Sequence, residues 1–137
     1  MNDDKQLREQ LVKMLRGKRA FRPFDDVVKD IPWDKTGITP QGLPYNIWQQ
    51  VKHLQIAQWD ILDFSRNSNY KHLKWPEGYW PENAAPADEK EWLDTLEQID
   101  KDFEEMIAII EDEQNDLYAP FPWGKGQNLL REALVLA

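Results

Sequence analysis

Apolar residues return every three or four positions in three stretches of this chain. Leu7, Leu11, Met14 and Leu15 form one stripe in a segment from about Asp3 to Lys18, with Gly17 near its end. That spacing predicts an amphipathic helix, and a glycine suits its C-terminus. Ile47, Val51, Leu54, Ala57, Ile61 and Leu62 repeat in the same way between Pro44 and Arg66, predicting a second helix. The third stretch is the most regular. Trp92, Leu96, Ile99, Phe103, Met106 and Ile110 alternate by four and three, the seam spacing of a helix bundle. Asp88, Glu89 and Glu91 place negative charge where the helix dipole favours it, and the pattern ends by about Asn115.

A fourth stripe begins late. Asn128, a good N-cap residue, precedes Leu129, Leu130, Ala133, Leu134, Leu136 and Ala137. The apolar face is still running at Ala137, without the polar or glycine residues that usually satisfy a last turn. A short helical turn is predicted after Pro23 in PFDDVVKDI, where proline suits a first helical position. The segments PWDKTGITPQGLP, NSNYKHLKWPEGYWPENAAPA and LYAPFPWGKGQ are punctuated by Pro and Gly and read as loops. The middle one has a length that is often functional in small domains. No strand-like alternation or internal repeat appears. The expectation is a single all-α domain over residues 1–137, three complete helices and the beginning of a fourth.

Composition adds constraints. Seven tryptophans in 137 residues are many. Trp48, Trp59 and Trp92 lie in helical patterns, whereas Trp33, Trp75, Trp80 and Trp123 lie in loops. Burying such rings offsets the entropy of ordering a loop, so the loops are expected to pack onto the helices. The net charge of −8 argues against a nucleic-acid binder, which needs a basic face. The cluster Arg16, Lys18, Arg19 and Arg22 reads as a solvated helix end. The absence of cysteine rules out disulfides and thiolate chemistry and fits a cytoplasmic protein. No apolar run approaches the ~18 residues that a membrane span needs.

Candidate chemistry is sparse. His53 lies at the rim of the apolar arc of the second helix, where bundle sites are built. A local metal motif would place another ligand at Ile56 or Ala57, which cannot ligate. Asp60 is two turns on, about 10.5 Å along the axis, too far to share an ion directly. Spacing therefore leaves His53 as a structural histidine or a lone ligand. His72, between Lys71 and Lys74, reads as a surface residue. Ser65 and Ser68 lack a nucleophile context, and WGKGQ lacks the spacing of a phosphate loop. Glu104/Glu105 and Glu111/Asp112/Glu113 read as solvated charge. Gln58 falls inside the apolar arc and needs a buried partner for its amide, or else orients a ligand.

The stretch GLPYNIWQQVKHLQIAQWDILDFSRN, followed by YKHLKWPEGYWP, resembles the DinB-like (YfiT-type) four-helix-bundle superfamily. The resemblance runs over nearly the whole chain, to NLLREALVLA. It implies an up-down-down-up bundle, frequently a homodimer, of the bacterial cytoplasm. It also implies a divalent metal, zinc or nickel, held by three histidines. One of these matches His53. The other two belong to an HxxxH-type pair that follows a segment like LREALVLA, beyond Ala137. His53 is then the single metal-ligand candidate in an incomplete site, with no metal expected on this chain.

Three functions compete on this reading. The first is a divalent-metal-dependent enzyme, acting by thiol transfer or hydrolysis on an unidentified small-molecule substrate through a metal-bound thiol or water. The second is a non-catalytic binding or dimerisation module. The third is an inactive remnant that folds by pairing. A short fourth helix is also expected to leave Phe103, Met106 and Ile110 partly exposed, a surface for self-association.

Overall fold

Four apolar stripes need a common interior, and the chain supplies it by setting four helices side by side. The computed structural model describes residues 2–17 and 24–137. In chain order the helices are α1 (Asn2–Leu15), α2 (Phe24–Val28), α3 (Ile47–Arg66), α4 (Glu89–Glu111) and α5 (Leu129–Leu136). Single 3-10 turns occur at Trp33–Lys35 and Glu77–Tyr79, and no strand occurs among the described residues. α4 packs on α3 and α1, and α5 packs on the same two helices, so each of the four long elements has two neighbours. Of the basic cluster, Lys18, Arg19 and Arg22 lie outside the described residues, as does Pro23.

Helix ends depart from expectation where side chains decide them. α3 begins at Ile47, not near Pro44, because Asn46 caps it. The Asn46 side chain accepts from the Gln49 N–H at 2.8 Å, and the Gln49 side chain accepts from the Asn46 N–H at 3.0 Å. This reciprocal box satisfies two donors that the first turn leaves open. α1 stops at Leu15 rather than Lys18, and Gly17 adopts a φ of 70° just beyond, a left-handed conformation easy only for glycine. α4 starts after Asp88 as expected but ends at Glu111 rather than Asn115.

The end of α4 is held by Arg8 of α1, which is only 4% exposed. Its Nη1 donates to the carbonyls of Ile110 and Asp112 at 2.7 and 2.9 Å, and its Nη2 donates to the Asn115 carbonyl. Its Nε donates to Asp4 at 2.7 Å. One guanidinium thus meets three carbonyls at the helix end, of which that of Asp112 also accepts from the Asn115 N–H at 3.0 Å.

The main core gathers Leu11, Leu62, Met106, Ile107, Ile110, Leu117, Leu129 and Ala133. Here the expected partial exposure of the third seam is corrected for Met106 and Ile110 and holds for Phe103. Met106 and Ile110 are 0% exposed, and Phe103 is half-buried against the same cluster. The eight residues of α5 suffice, because Leu129 and Ala133 reach the seam from one side and Leu11 and Val12 of α1 pack into the same cluster. The carbonyl of buried Leu117 accepts from Leu130 N–H at 3.0 Å, which anchors the start of α5. A second cluster of Val28, Trp48, Val51, Trp92 and Ile99 fills the other end of the α3–α4 pair.

Loop tryptophans follow the packing expectation in three cases of four. Trp33, Trp80 and Trp123 are half-buried, and Trp123 Nε1 donates to the Phe64 carbonyl at 2.7 Å. Trp75 departs from it at 73% exposed, touching only an edge of Tyr79 among its ring contacts.

Gln58 of α3 and Asp102 of α4 are among the polar side chains these helices bury. Gln58 is buried and donates to the Ile99 carbonyl at 2.8 Å, the plain resolution of its place in the apolar arc. Asp102, unmarked by sequence reasoning, is 2% exposed. Its Oδ1 accepts from Gln98 at 2.7 Å, while its buried Oδ2 has no partner. Burial pushes this carboxyl above the usual carboxylate range; the Gln98 bond and the charges of Arg66 and Lys101 pull it back in part.

Two outcomes follow. Replacing Arg8 with Met, which keeps length and loses the donors, should lower the free energy of unfolding in urea by about 3 kcal/mol. Because the folded Asp102 carboxyl binds its proton more tightly than the unfolded one, its contribution is present in acid and is lost as pH rises through its folded value. Asp102→Asn should therefore gain stability relative to the parent chain as pH climbs from acid to neutral, measured by melts across that range.

Candidate functional site

The face of α3 that carries His53 meets the loop between α3 and α4. His53 Nδ1 lies 2.6 Å from the carbonyl oxygen of Tyr79. A carbonyl can only accept, so Nδ1 carries the proton, and in the neutral ring Nε2 keeps a lone pair. The imidazole stacks on Trp80, with centroids 4.0 Å apart and planes within 8°. Tyr45, just before the α3 cap, also stacks on Trp80, at 4.4 Å and 18°. Three rings from two distant segments therefore lie nearly parallel.

Asp60, two turns along the same helix, holds the loop in place. Its Oδ1 accepts from the Tyr70 hydroxyl at 2.7 Å and its Oδ2 from the Tyr79 hydroxyl at 2.8 Å. Burial, and then the bond to the Asp60 carboxylate, push both phenols upward, so they stay protonated donors. Tyr79 is thus fixed to α3 twice: its hydroxyl reaches Asp60 and its carbonyl receives His53.

Glu132 of α5 brings another carboxyl toward this region. It is 3% exposed and accepts from Arg131 at 2.6 Å. Burial pushes it above the usual range, Arg131 pulls it down, and the charge of Asp60 pushes it further up.

Beside His53 opens a cleft of about 590 Å³ between α3 and the end of α5. Tyr45 and Trp80 border it with His53, and Leu54, Ala57 and Val135 supply apolar surface. No Asp, Glu, Lys or Arg side chain lines it. Leu54 and Val135 are 43% and 54% exposed, so the apolar wall is open to solvent.

The donor set around His53 does not fit a divalent metal. Among the described residues no group of three or more His, Cys, Asp or Glu side chains is placed to hold an ion. Both oxygens of Asp60 already accept from tyrosine hydroxyls, and a three-ligand site needs more than one imidazole. His72 is exposed, with its ring against the edge of Tyr70 at 5.1 Å, and no contact joins it to His53.

The other residues weighed from sequence have structural roles. Ser65 Oγ donates to the Ile61 carbonyl at 2.8 Å, and Ser68 is exposed. Glu104 and Glu105 pair with Arg16 and Arg66 at 2.8 and 3.0 Å, more engaged than free solvated charge. Glu111, Asp112 and Glu113 are exposed. WGKGQ forms a turn in which the Gln127 side chain accepts from Lys125 N–H.

Tyr45, Tyr70, Tyr79 and Trp80 were not singled out as site residues in the sequence. For Tyr70, Tyr79 and Trp80 the signal is the aromatic and proline content of the long loop, which marks ordering but not what the rings face; Tyr45 lies before α3, outside that loop. Compared with protein-family models, curated proteins and solved structures, the chain matches none.

Removing the Asp60 carboxylate leaves two partly buried hydroxyls without an acceptor. Asp60→Ala should lower stability by about 2 kcal/mol. It should also speed amide exchange across residues 70–80 and shift tryptophan emission as Trp80 loosens. Asp60→Asn, which keeps one acceptor, should show a smaller change in each readout.

Proposed function

We propose that this chain is a DinB-like helical-bundle protein, in the up-down-down-up arrangement, whose working site is the cleft at His53. The observation that carries the reading is the Nδ1–H bond from His53 to the Tyr79 carbonyl. It directs the lone pair of the neutral ring to Nε2, the preparation required of a histidine that ligates or accepts a proton. In this reading His53 is the one ligand that α3 contributes to a divalent-metal enzyme of thiol-transfer or hydrolytic type. Residues 1–137 leave that ligand set incomplete, and no catalytic step through a metal is assigned to them.

A second reading, a non-catalytic binding module, is favoured by the open lining of the cleft, which holds no Asp, Glu, Lys or Arg. It shares the site with the first reading and differs in what His53 does there. As an acceptor for a bound molecule, Nε2 needs no further ligands.

Zinc or nickel titration by calorimetry, at neutral pH, tests the incomplete-site reading. The expected result for the chain is no tight equimolar site. Submicromolar equimolar binding that disappears in His53→Ala would show a complete metal site and overturn the incomplete-site reading.

A further inference from the structure

Two carboxyl groups lie where α5 packs on α3, and the chain supports their charges unequally. Asp60 of α3 accepts from the hydroxyls of Tyr70 and Tyr79 at 2.7 and 2.8 Å. Bonds donated to an ionised carboxylate favour that form. Glu132 of α5 is 3% exposed and accepts from Arg131 at 2.6 Å. The Arg131 side chain is itself 55% exposed, so water shares it.

The two carboxyls sit at one level of the bundle. Ala57 and Ile61, before and after Asp60, line the cleft together with Val135 and Leu136, one turn after Glu132. Ile61 also packs against the cluster that holds Leu129 and Ala133. The turn of α3 with Asp60 therefore lies against the turn of α5 with Glu132. α1, the other helix packed on α5, brings Leu11 and Val12 to the shared cluster. Among the described residues, the charges that act on Glu132 are those of Arg131 and Asp60. Burial pushes its carboxyl above the usual range, Arg131 draws it down in part, and Asp60 adds to the rise.

Neighbouring carboxyls take up a proton at the member whose charge is less well supported. Here that member is Glu132. Its place in the first turn of α5, where the helix dipole favours negative charge, keeps it able to ionise. Losing the proton puts a second charge into the α3–α5 contact. Asp60 is fixed by two phenols. The start of α5 is fixed by its Asn128 cap, by buried Leu129 and by the Leu130 N–H bond to Leu117. The part left to yield is the last turn, where Leu134 and Val135 are already more than half exposed.

We propose that Glu132 is a proton-operated latch on the cleft at His53. Protonated, it lets the last turn of α5 lie against α3, with Val135 and Leu136 in the cleft wall. Ionised, it lifts that turn and widens the cleft. The closed form binds the proton more tightly, so it is favoured in acid and lost as pH rises through the Glu132 value. The proposal rests on the reading of the cleft as the working site and adds its regulation.

NMR on the full chain, from about pH 4 to about pH 8, tests it through the carboxyl carbon of Glu132 and the methyls of Val135 and Leu136. All three should titrate together, with a midpoint above that of an ordinary glutamate. In Glu132→Gln the methyls should stop titrating. Arg131→Gln, which removes the half-exposed partner, should move the common midpoint upward. Methyl shifts that persist in Glu132→Gln report His53 instead and would overturn the latch. Should that variant fail to fold, an unchanged midpoint in Arg131→Gln overturns it as well. The measurement uses neither metal nor ligand. Its failure removes the latch and leaves the cleft standing, whereas an unexpected result in the metal titration leaves the latch intact.

Discussion

One carboxylate positions the site. Asp60 offers two oxygens from the middle of α3, and the hydroxyls of Tyr70 and Tyr79 take one each. The loop after α3 is long and rich in proline, so the entropy of ordering it has to be met by contacts of this strength. With Tyr79 held at its hydroxyl, its carbonyl stands 2.6 Å from His53 and selects the imidazole tautomer. Trp80, the next residue, then stacks between the helix face and Tyr45. The cleft is a consequence of that order, because its aromatic wall exists only while the loop is closed down.

The rest of the fold keeps the α3 face rigid enough for this to matter. α3 is braced by α4 on one flank and α5 on the other, and α1 bridges those two from the far side. Arg8 contributes where packing cannot, at the end of α4, by donating to the carbonyls of Ile110, Asp112 and Asn115. Close packing explains why so short an α5 completes the core. Two residues, Leu129 and Ala133, are buried to 2% or less and share a cluster with Met106 and Ile110, which are fully covered.

Buried carboxyls run against that economy. Asp102 of α4 is buried with one oxygen unpartnered, and Glu132 is covered by the packing of α5. Both are pushed upward by burial, so both weaken the folded state as pH rises. Glu132 sits close enough to Asp60 for their charges to interact, which links the end of the bundle to the residue that closes the loop.

Much of the scaffold was legible in the sequence. Helix positions follow from a 3.6-residue period that depends only on neighbours along the chain, and the cap at Asn128 is visible as a single residue. The Asn46 box was missed because Pro44 suggested an earlier start, although Gln49 three residues on is its local mark. The burial of Met106 and Ile110 departs from expectation for a different reason. Counting helical residues underestimates cover when a short helix and a neighbouring one meet over the same side chains.

By itself, then, the sequence determined an all-helical chain, the stripe each helix would bury, and His53 as the side chain to watch at the rim of α3. Those are properties of local spacing. Only the tertiary structure decided which nitrogen of His53 is free, since its partner is a carbonyl 26 residues away. It alone decided that Asp60 is a clamp and no ligand, and that Tyr45 and Trp80 share a wall. Such facts depend on the path of a loop whose ends are set by helices packing elsewhere, and no periodicity encodes that path.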